Sequence, residues 1–235
     1  MHYKYKRIVA KNVEEYLKYL KKGYVRLKID DSLIPSLKER LKELKDINPI
    51  FLFEYSYYLF KEDSNKYKDE IYKQLKPYEK DIFSSYVLAL FENNVYGTHI
   101  NYSSRNGFFP AIYELAILNY QNEYYSTAFK LFKKCLKVEI VDAYNYVGLC
   151  YMYGNGVKED DTKAMKYFEE GVKHGDLVYA PYNMGDLYYR QKTFNSAEFY
   201  YEMAYMNGNK YVAFEVGLSS YKMKDWVKAK EYFSK

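Results

Sequence analysis

The 235-residue chain has little of what staples or arms many small domains: two cysteines, three histidines, one tryptophan, five prolines and eleven glycines. Cys135 and Cys150 form no CxxC pair, which excludes a disulfide framework and a thiolate metal set and leaves two small core residues in a reducing compartment. His2, His99 and His174 are isolated, without HxxxH or HExxH spacing, so the sequence encodes no local metal site or acid–base pair. No serine or cysteine stands in a nucleophile motif. The scarcity of proline and glycine excludes a linker-rich chain. Long apolar runs are missing too. The most apolar stretch, PIFLFEYSYYLF, is twelve residues long and holds Glu54, whereas a membrane span needs ~20 residues. No apolar run follows the charged N-terminus, so no secretory signal is read and the cytoplasm is the expected location. Catalytic residues, cofactor and metal are all expected to be none.

What is present is apolar and aromatic. Apolar residues make up 49% of the chain, enough for a continuous core, and the Tyr, Lys, Leu and Glu that dominate suit packed helices. The 33 tyrosines have two competing origins, a binding surface built from amphipathic rings or a coding bias toward AT-rich codons. The net charge of +5 comes from 31 lysines and five arginines spread among 31 acids, a solvated surface more than a nucleic-acid footprint. The one basic concentration is MHYKYKRIVAKNVEEYLKYLKKGYVRLK, which lacks arginine forks at helical spacing.

Self-similarity organises the second half. Segments starting at Ala143, Ala180 and Val212 each carry a glycine five residues in: Gly148, Gly185 and Gly217. An alanine follows twelve residues later in two of them (Ala197, Ala229) and sixteen later in the first (Ala164). Aromatic pairs stand three and four residues beyond: Tyr167 and Phe168, Tyr200 and Tyr201, Tyr232 and Phe233. Upstream, Ala116, Ala128, Leu131 and Phe132 obey the same rule. Small residues at such spacing let two antiparallel helices approach, and the rings beside them fill the remaining space. One hairpin cannot bury its apolar face alone, so a period of 32 to 37 residues reports stacked hairpins. Asp160, Thr193 and Asp225 fall where second helices need N-caps, and Gly175 and Gly208 where they need left-handed C-caps.

The segment Ala143 to Phe168 resembles a Sel1-like repeat through Ala143, Gly148, Tyr151, Gly154, Gly156, Val157, Asp160, Lys163, Ala164 and Tyr167. The flanking units, with twelve residues between their small positions, resemble tetratricopeptide repeats. The resemblance covers Pro110 to Lys235, in units near 110–142, 143–179, 180–211 and 212–235, and implies an all-α, right-handed α-solenoid of stacked antiparallel helix pairs. Upstream the pattern decays. Residues 49–109 read as degenerate repeats, with Ser56 and Lys68 as small positions, Ile71 and Tyr72 after them, and Ala89 opening the next. A shortened helix or ordered loop is expected near 94–109. Residues 1–48 read as a helical cap, with helices over Asn12–Lys22 and Ser32–Lys45.

The stretch GNGVKEDD after the first repeat helix imitates a ligand loop, yet Gly154, Gly156 and Lys158 do not reproduce GxxxxGK[ST]. Glu159, Asp160 and Asp161 are contiguous, where a calcium loop alternates its ligands. The loop therefore reads as a turn between helices, with Val157 tucked into their junction. His99, beside Tyr96, Asn101, Tyr102 and Arg105, carries a minor enzymatic alternative.

By resemblance, first helices line a concave face. Its inward positions hold Phe53, Tyr57 and Phe60; Tyr86; Tyr113 and Tyr120; Asn145 and Met152; Tyr182, Asp186 and Tyr189; and Phe214 and Tyr221. These form the expected partner-binding set, with inter-repeat core as the alternative role for each ring. The set lacks the lysine, asparagine and arginine clamp that relatives use for a terminal carboxylate. The expected function is a non-enzymatic scaffold or adaptor binding a peptide or helix of a protein partner. The alternative is nucleic-acid or anionic-surface binding through the basic N-terminal region, with nucleic acid disfavoured. The last unit shows no polar capping helix, which raises self-association through its uncapped face as a further expectation.

Overall fold

The structure, a computed structural model, describes residues 9–23, 27–91 and 97–235 and divides into two compact units between Gln121 and Asn122. In the first unit, Val9–Ala10 (β1) and Lys28–Ile29 (β2) form a parallel two-strand ribbon that the all-α reading does not contain. Val13–Lys21 (α1) starts at Asn12, whose Oδ1 accepts the Glu15 N–H at 2.9 Å, and turns Tyr16, Leu17 and Leu20 into the core. Ile34–Leu44 (α2), with Pro35 in its first turn, buries Leu37 and Leu41. Both helices fall inside the expected cap segments.

Pro49–Leu75 (α3) is broken at Asp63, whose φ of −159° and ψ of 97° leave the helical region. The Asp63 Oδ1 accepts the Asn65 and Lys66 N–H groups at 3.1 and 3.0 Å, so the second half starts on its own cap. The first half is apolar nearly all round and almost fully buried from Ile50 to Leu59. Ser56 is buried as a small position should be, but Lys68 is exposed. Ile71 and Leu75 take the burial instead. Ile82–Phe91 (α4), Thr98–Arg105 (α5) and Phe109–Gln121 (α6) follow, each packed on its predecessor. The eight-residue α5 is the shortened helix expected over 94–109; residues 94–96 lie outside the described residues.

The second unit is more regular. Tyr125–Cys135 (α7), Val141–Tyr153 (α8), Asp161–Lys173 (α9), Tyr179–Arg190 (α10), Phe194–Met206 (α11), Ala213–Lys222 (α12) and Trp226–Phe233 (α13) each pack on the next. The pattern of small residues and rings has a direct cause. A Cβ built on Gly148 would stand 2.3 Å from the Phe168 ring, on Gly185 2.5 Å from Tyr201, and on Gly217 2.7 Å from Phe233. Each hairpin is closed by the second ring of its aromatic pair lying on the glycine of its first helix. The expected α6–α7 hairpin is divided between the two units, with Ala116 and Ala128 both fully buried.

Two of the three N-caps form: the Asp160 Oδ1 accepts the Lys163 N–H at 2.9 Å, and the Asp225 Oδ1 accepts the Lys228 N–H at 3.0 Å. Thr193 holds the position but makes no cap bond, although its backbone (φ −90°, ψ 70°) is close to that from which Asp225 caps (φ −82°, ψ 83°). Gly175 and Gly208 are left-handed as C-caps require. Between α8 and α9, Gly156 at φ 76° sits so close to the Tyr125–Ser126 backbone that a Cβ would meet it at 2.5 Å. The loop is closed by Asn155 N–H to Cys150 O at 2.8 Å and Asp160 N–H to Tyr151 O at 2.9 Å. Cys135 and Cys150 are free and buried, and burial pushes both thiols up to about 12. They stay protonated at neutral pH and serve as packing residues. No helix among the described residues is long and apolar enough to cross a membrane.

Candidate functional site

The structure separates the sequence-predicted face into buried and accessible positions. Phe53, Tyr57 and Tyr86 belong to the core of the first unit. Tyr86 lies 5.2 Å from Phe108, Phe53 6.0 Å edge-on to Phe83, and Tyr57 edge-on to Tyr58 at 6.0 Å. Register alone points these rings inward, but they are buried in the packing of the first unit, against Phe83, Tyr58 and Phe108. Phe60, Tyr113 and Tyr120 are half-buried. In the second unit Asn145 and Met152 are buried, and the Asn145 Oδ1 accepts the Asn183 Nδ2 at 2.7 Å from the next repeat. Tyr57, Tyr86, Asn145 and Met152 thus fill packing rather than surface. Tyr182, Asp186 and Tyr189 are half-buried, while Phe214 and Tyr221 are exposed.

The accessible chemistry gathers where α8, α10 and α12 meet. The Asp186 carboxylate accepts the Tyr201 hydroxyl at 2.7 Å, and the Tyr182 hydroxyl lies near it. Burial holds the Asp186 carboxyl above the usual range, the Glu215 charge adds to the shift, and the hydroxyls and Arg190 oppose it. One oxygen of Glu215, Oε2, is buried and has no hydrogen-bond partner among the described residues. Tyr182 is pushed up to about 12 by burial and then by the Asp186 and Glu215 charges. Tyr153, at the end of α8 and half exposed, is raised by burial and then by Asp186. The nearby cation is committed elsewhere. Arg190 pairs with Glu159 at 3.0 Å, lies 3.9 Å from Asp161, and donates to the Met152 carbonyl at 3.3 Å. Two carboxylates therefore repel one another on a tyrosine-rich face.

The sequence reading named Tyr182, Asp186 and Tyr189 here but missed Tyr153 and Glu215. Each lies one residue outside the register positions, Tyr153 next to Met152 and Glu215 next to Phe214. A charged residue in an otherwise apolar first helix was the available signal for Glu215. The histidines stay apart: His174 stacks on Tyr144 at 4.7 Å with its Nδ1 2.8 Å from the Glu170 carbonyl. His99 lies half-buried in α5, where its carbonyl accepts the Ser85 hydroxyl at 3.1 Å. His2 and Tyr96 lie outside the described residues, and among those residues no cluster of His, Cys, Asp and Glu is arranged to hold a metal ion.

No family model matches the sequence, and no match to a curated protein is found. Solved structures do match the backbone. A Sel1 repeat protein from Oxalobacter formigenes aligns over 84% of this chain and 97% of its own, with a TM-score of 0.63 at 18% identity. The apo form of the quorum sensor NprR from B. thuringiensis aligns over 94% of this chain and 73% of its own, with a TM-score of 0.64 at 15% identity. PilF from Pseudomonas aeruginosa aligns over 82% and 90%, with a TM-score of 0.62 at 17% identity. Stacked helix pairs closed by a ring on a glycine, together with these likenesses, establish that the chain has the all-α solenoid fold of Sel1-like and tetratricopeptide-like repeats.

Proposed function

We propose that the protein is a non-enzymatic scaffold or adaptor of a reducing, cytoplasmic compartment, and that it binds a peptide or helix of a protein partner across α8, α10 and α12. Tyr153, Tyr182 and Tyr189 supply the apolar contact, and Asp186 and Glu215 receive a basic side chain of the bound segment. The observation that carries this reading is the carboxylate pair itself. The Glu215 charge raises the cost of ionising Asp186, and Arg190 beside them is held by Glu159 and Asp161. A cation placed between them relieves that repulsion, in a setting where burial strengthens the attraction. The repeat fold adds support, because it offers side chains of successive first helices to one ligand.

The test compares capture from native lysate by the wild type and by a Tyr153→Ser, Asp186→Asn double variant, with helicity followed by circular dichroism. A protein captured by the wild type and lost from the variant at unchanged helicity supports the reading. Undiminished capture by the variant moves the site elsewhere. The choice of Tyr153 follows from burial: Tyr182 and Tyr189 also pack against the core formed by Tyr201, Val212 and Val216, so truncating them would cost stability as well.

A second reading, binding of an anionic partner by the N-terminal region, has its own observation. Lys18, Lys21, Lys22 and Arg40, with Glu14, Leu17 and Leu44, line a cleft of about 340 Å³. The basic residues before Val9 lie outside the described residues. Affinity that falls steeply with salt and survives the Asp186→Asn change would favour this reading.

A further inference from the structure

The Asp186 carboxylate stands where the neighbouring repeats are apolar. Directly after the small residue of the first helix the other units carry Ile117, Leu149 and Leu218. Leu149 packs against the core that Met152, Phe168 and Met184 form, so the position belongs to a helix junction. Asp186 has one packing task there. Its Oδ1 accepts the Tyr201 hydroxyl at 2.7 Å, and Tyr201 is the ring that lies on Gly185. That task occupies only one of the two carboxylate oxygens.

Glu215 has no comparable task. It lies in the first turn of α12, where the free N–H groups of the helix favour a negative charge. Its Oε2 is nevertheless buried without a hydrogen-bond partner among the described residues. Tyr182 links the two acids. It precedes Asp186 by one turn and packs against the core that Tyr201, Ala213 and Val216 form, the last two flanking Glu215 in α12. The Tyr182 and Tyr201 rings are 5.9 Å apart at 47°, and the charges of both acids act on the Tyr182 hydroxyl. Tyr153 borders Asp186 as well, with a ring that is 54% exposed. At the register position of Tyr153 the other units carry Gln121, Arg190 and Lys222, so a flat ring replaces a long polar side chain at this one repeat.

A group that fits this site must donate to carboxylates on two different helices at once, lie flat against a phenol ring and keep its charge away from water. A guanidinium does all three, being planar, weakly hydrated, permanently charged and equipped with five N–H donors. A lysine ammonium is a strongly hydrated point charge, and burial drives it toward its neutral form. We propose that the Asp186–Glu215 site is an arginine receptor. The guanidinium of one arginine in the bound segment bridges the second oxygen of Asp186 and the Glu215 Oε2, with its plane against the Tyr153 ring. Lysine in its place is refused. This inference rests on the binding role given above to the same face and narrows its basic side chain to one residue type.

Short random peptides are selected for binding to the full chain, and one binder is remade with lysine, and with dimethylarginine, in place of its basic residue. Arginine is expected at one fixed position. The lysine version should bind about tenfold more weakly, and dimethylarginine, which keeps the charge but loses N–H donors, should weaken binding as well. Asp186→Asn and Glu215→Gln, at unchanged helicity, should each abolish binding of the arginine peptide, and Tyr153→Ser should weaken it about threefold. The peptide exchange needs no variant of the protein. Equal binding of the lysine or the dimethylarginine version overturns the arginine receptor and leaves the reading of a basic side chain standing. Binders without a basic residue, binders indifferent to both Asp186→Asn and Glu215→Gln, or no binders at all overturn both.

Discussion

The two units solve one problem, holding short helices side by side, with different chemistry. In residues 122–235 a ring closes each glycine-centred hairpin by lying on the glycine of the facing helix, and the contact repeats with the period of the sequence. In the first unit hydroxyls and large side chains do the closing. Ser84 donates to the Leu75 carbonyl at 3.3 Å, Ser103 to the Ile82 carbonyl at 2.8 Å, and Tyr16 to the buried Glu54 carboxylate. A ring on a glycine needs only shape and can be copied along a chain. A buried hydroxyl needs a particular acceptor, so it fixes one junction and carries no period.

The comparison is broken most sharply at the glycines. Gly148→Ala drives a methyl into the fully buried Phe168 ring and should cost about 1–3 kcal/mol in urea unfolding, beyond what alanine's helix propensity returns. Gly217→Ala makes the same approach to Phe233, but that ring is exposed on one side and free to swing, so its effect should stay within about 1 kcal/mol of zero. Equal losses at the two sites would mean that the buried ring is not the tie. Next in size is Tyr16→Phe. It withdraws the hydroxyl from Glu54 and should cost about 1–2 kcal/mol, with faster amide exchange in α1 and α3 and none of that change in α8 to α13. Exchange spread evenly over both units would contradict the contrast.

The smallest effect is expected at Asp186. Its carboxyl is raised in the folded protein, chiefly by burial, so the stability linked to it is fully present below the ordinary aspartate range and is lost as pH rises through the raised value. Asp186→Asn does not titrate and keeps an acceptor for the Tyr201 hydroxyl. The variant should therefore melt slightly higher than wild type near pH 7, with the difference fading below about pH 4. A difference that grows on acidification would reverse the assignment.

Much of the second unit was legible from Gly148, Ala164 and Phe168 and their repeats, because a close helix approach leaves a residue-size signature. Asp160 and Asp225 were readable as caps for the same local reason. Thr193 was not. Glu123, Lys192 and Lys224, each seven residues past a small position, adopt left-handed backbone that no side chain announces, and Thr193 makes no cap bond where Asp225, after the same kind of turn, does. The first unit was less legible. Two-residue strands carry no period, the break at Asp63 needs no proline or glycine, and Glu54 sits buried in an apolar run. The site was half visible. Helical register gave the direction of Tyr182, Asp186, Phe214 and Tyr221, but whether a ring so directed is covered depends on the next helix, which is why Asn145 and Met152 are buried and Phe214 is bare.

The four extra residues between Gly148 and Ala164 end up doing more than turning the chain. They carry Gly156 against the Tyr125–Ser126 backbone, so the loop of one helix pair rests on the second helix of the pair before it. The short turns at Lys192 and Lys224 include no such residue. Turn length therefore sets stiffness at that junction. Exchanging the long turn for a short one would leave each hairpin closed and make the stack more compliant at that single joint.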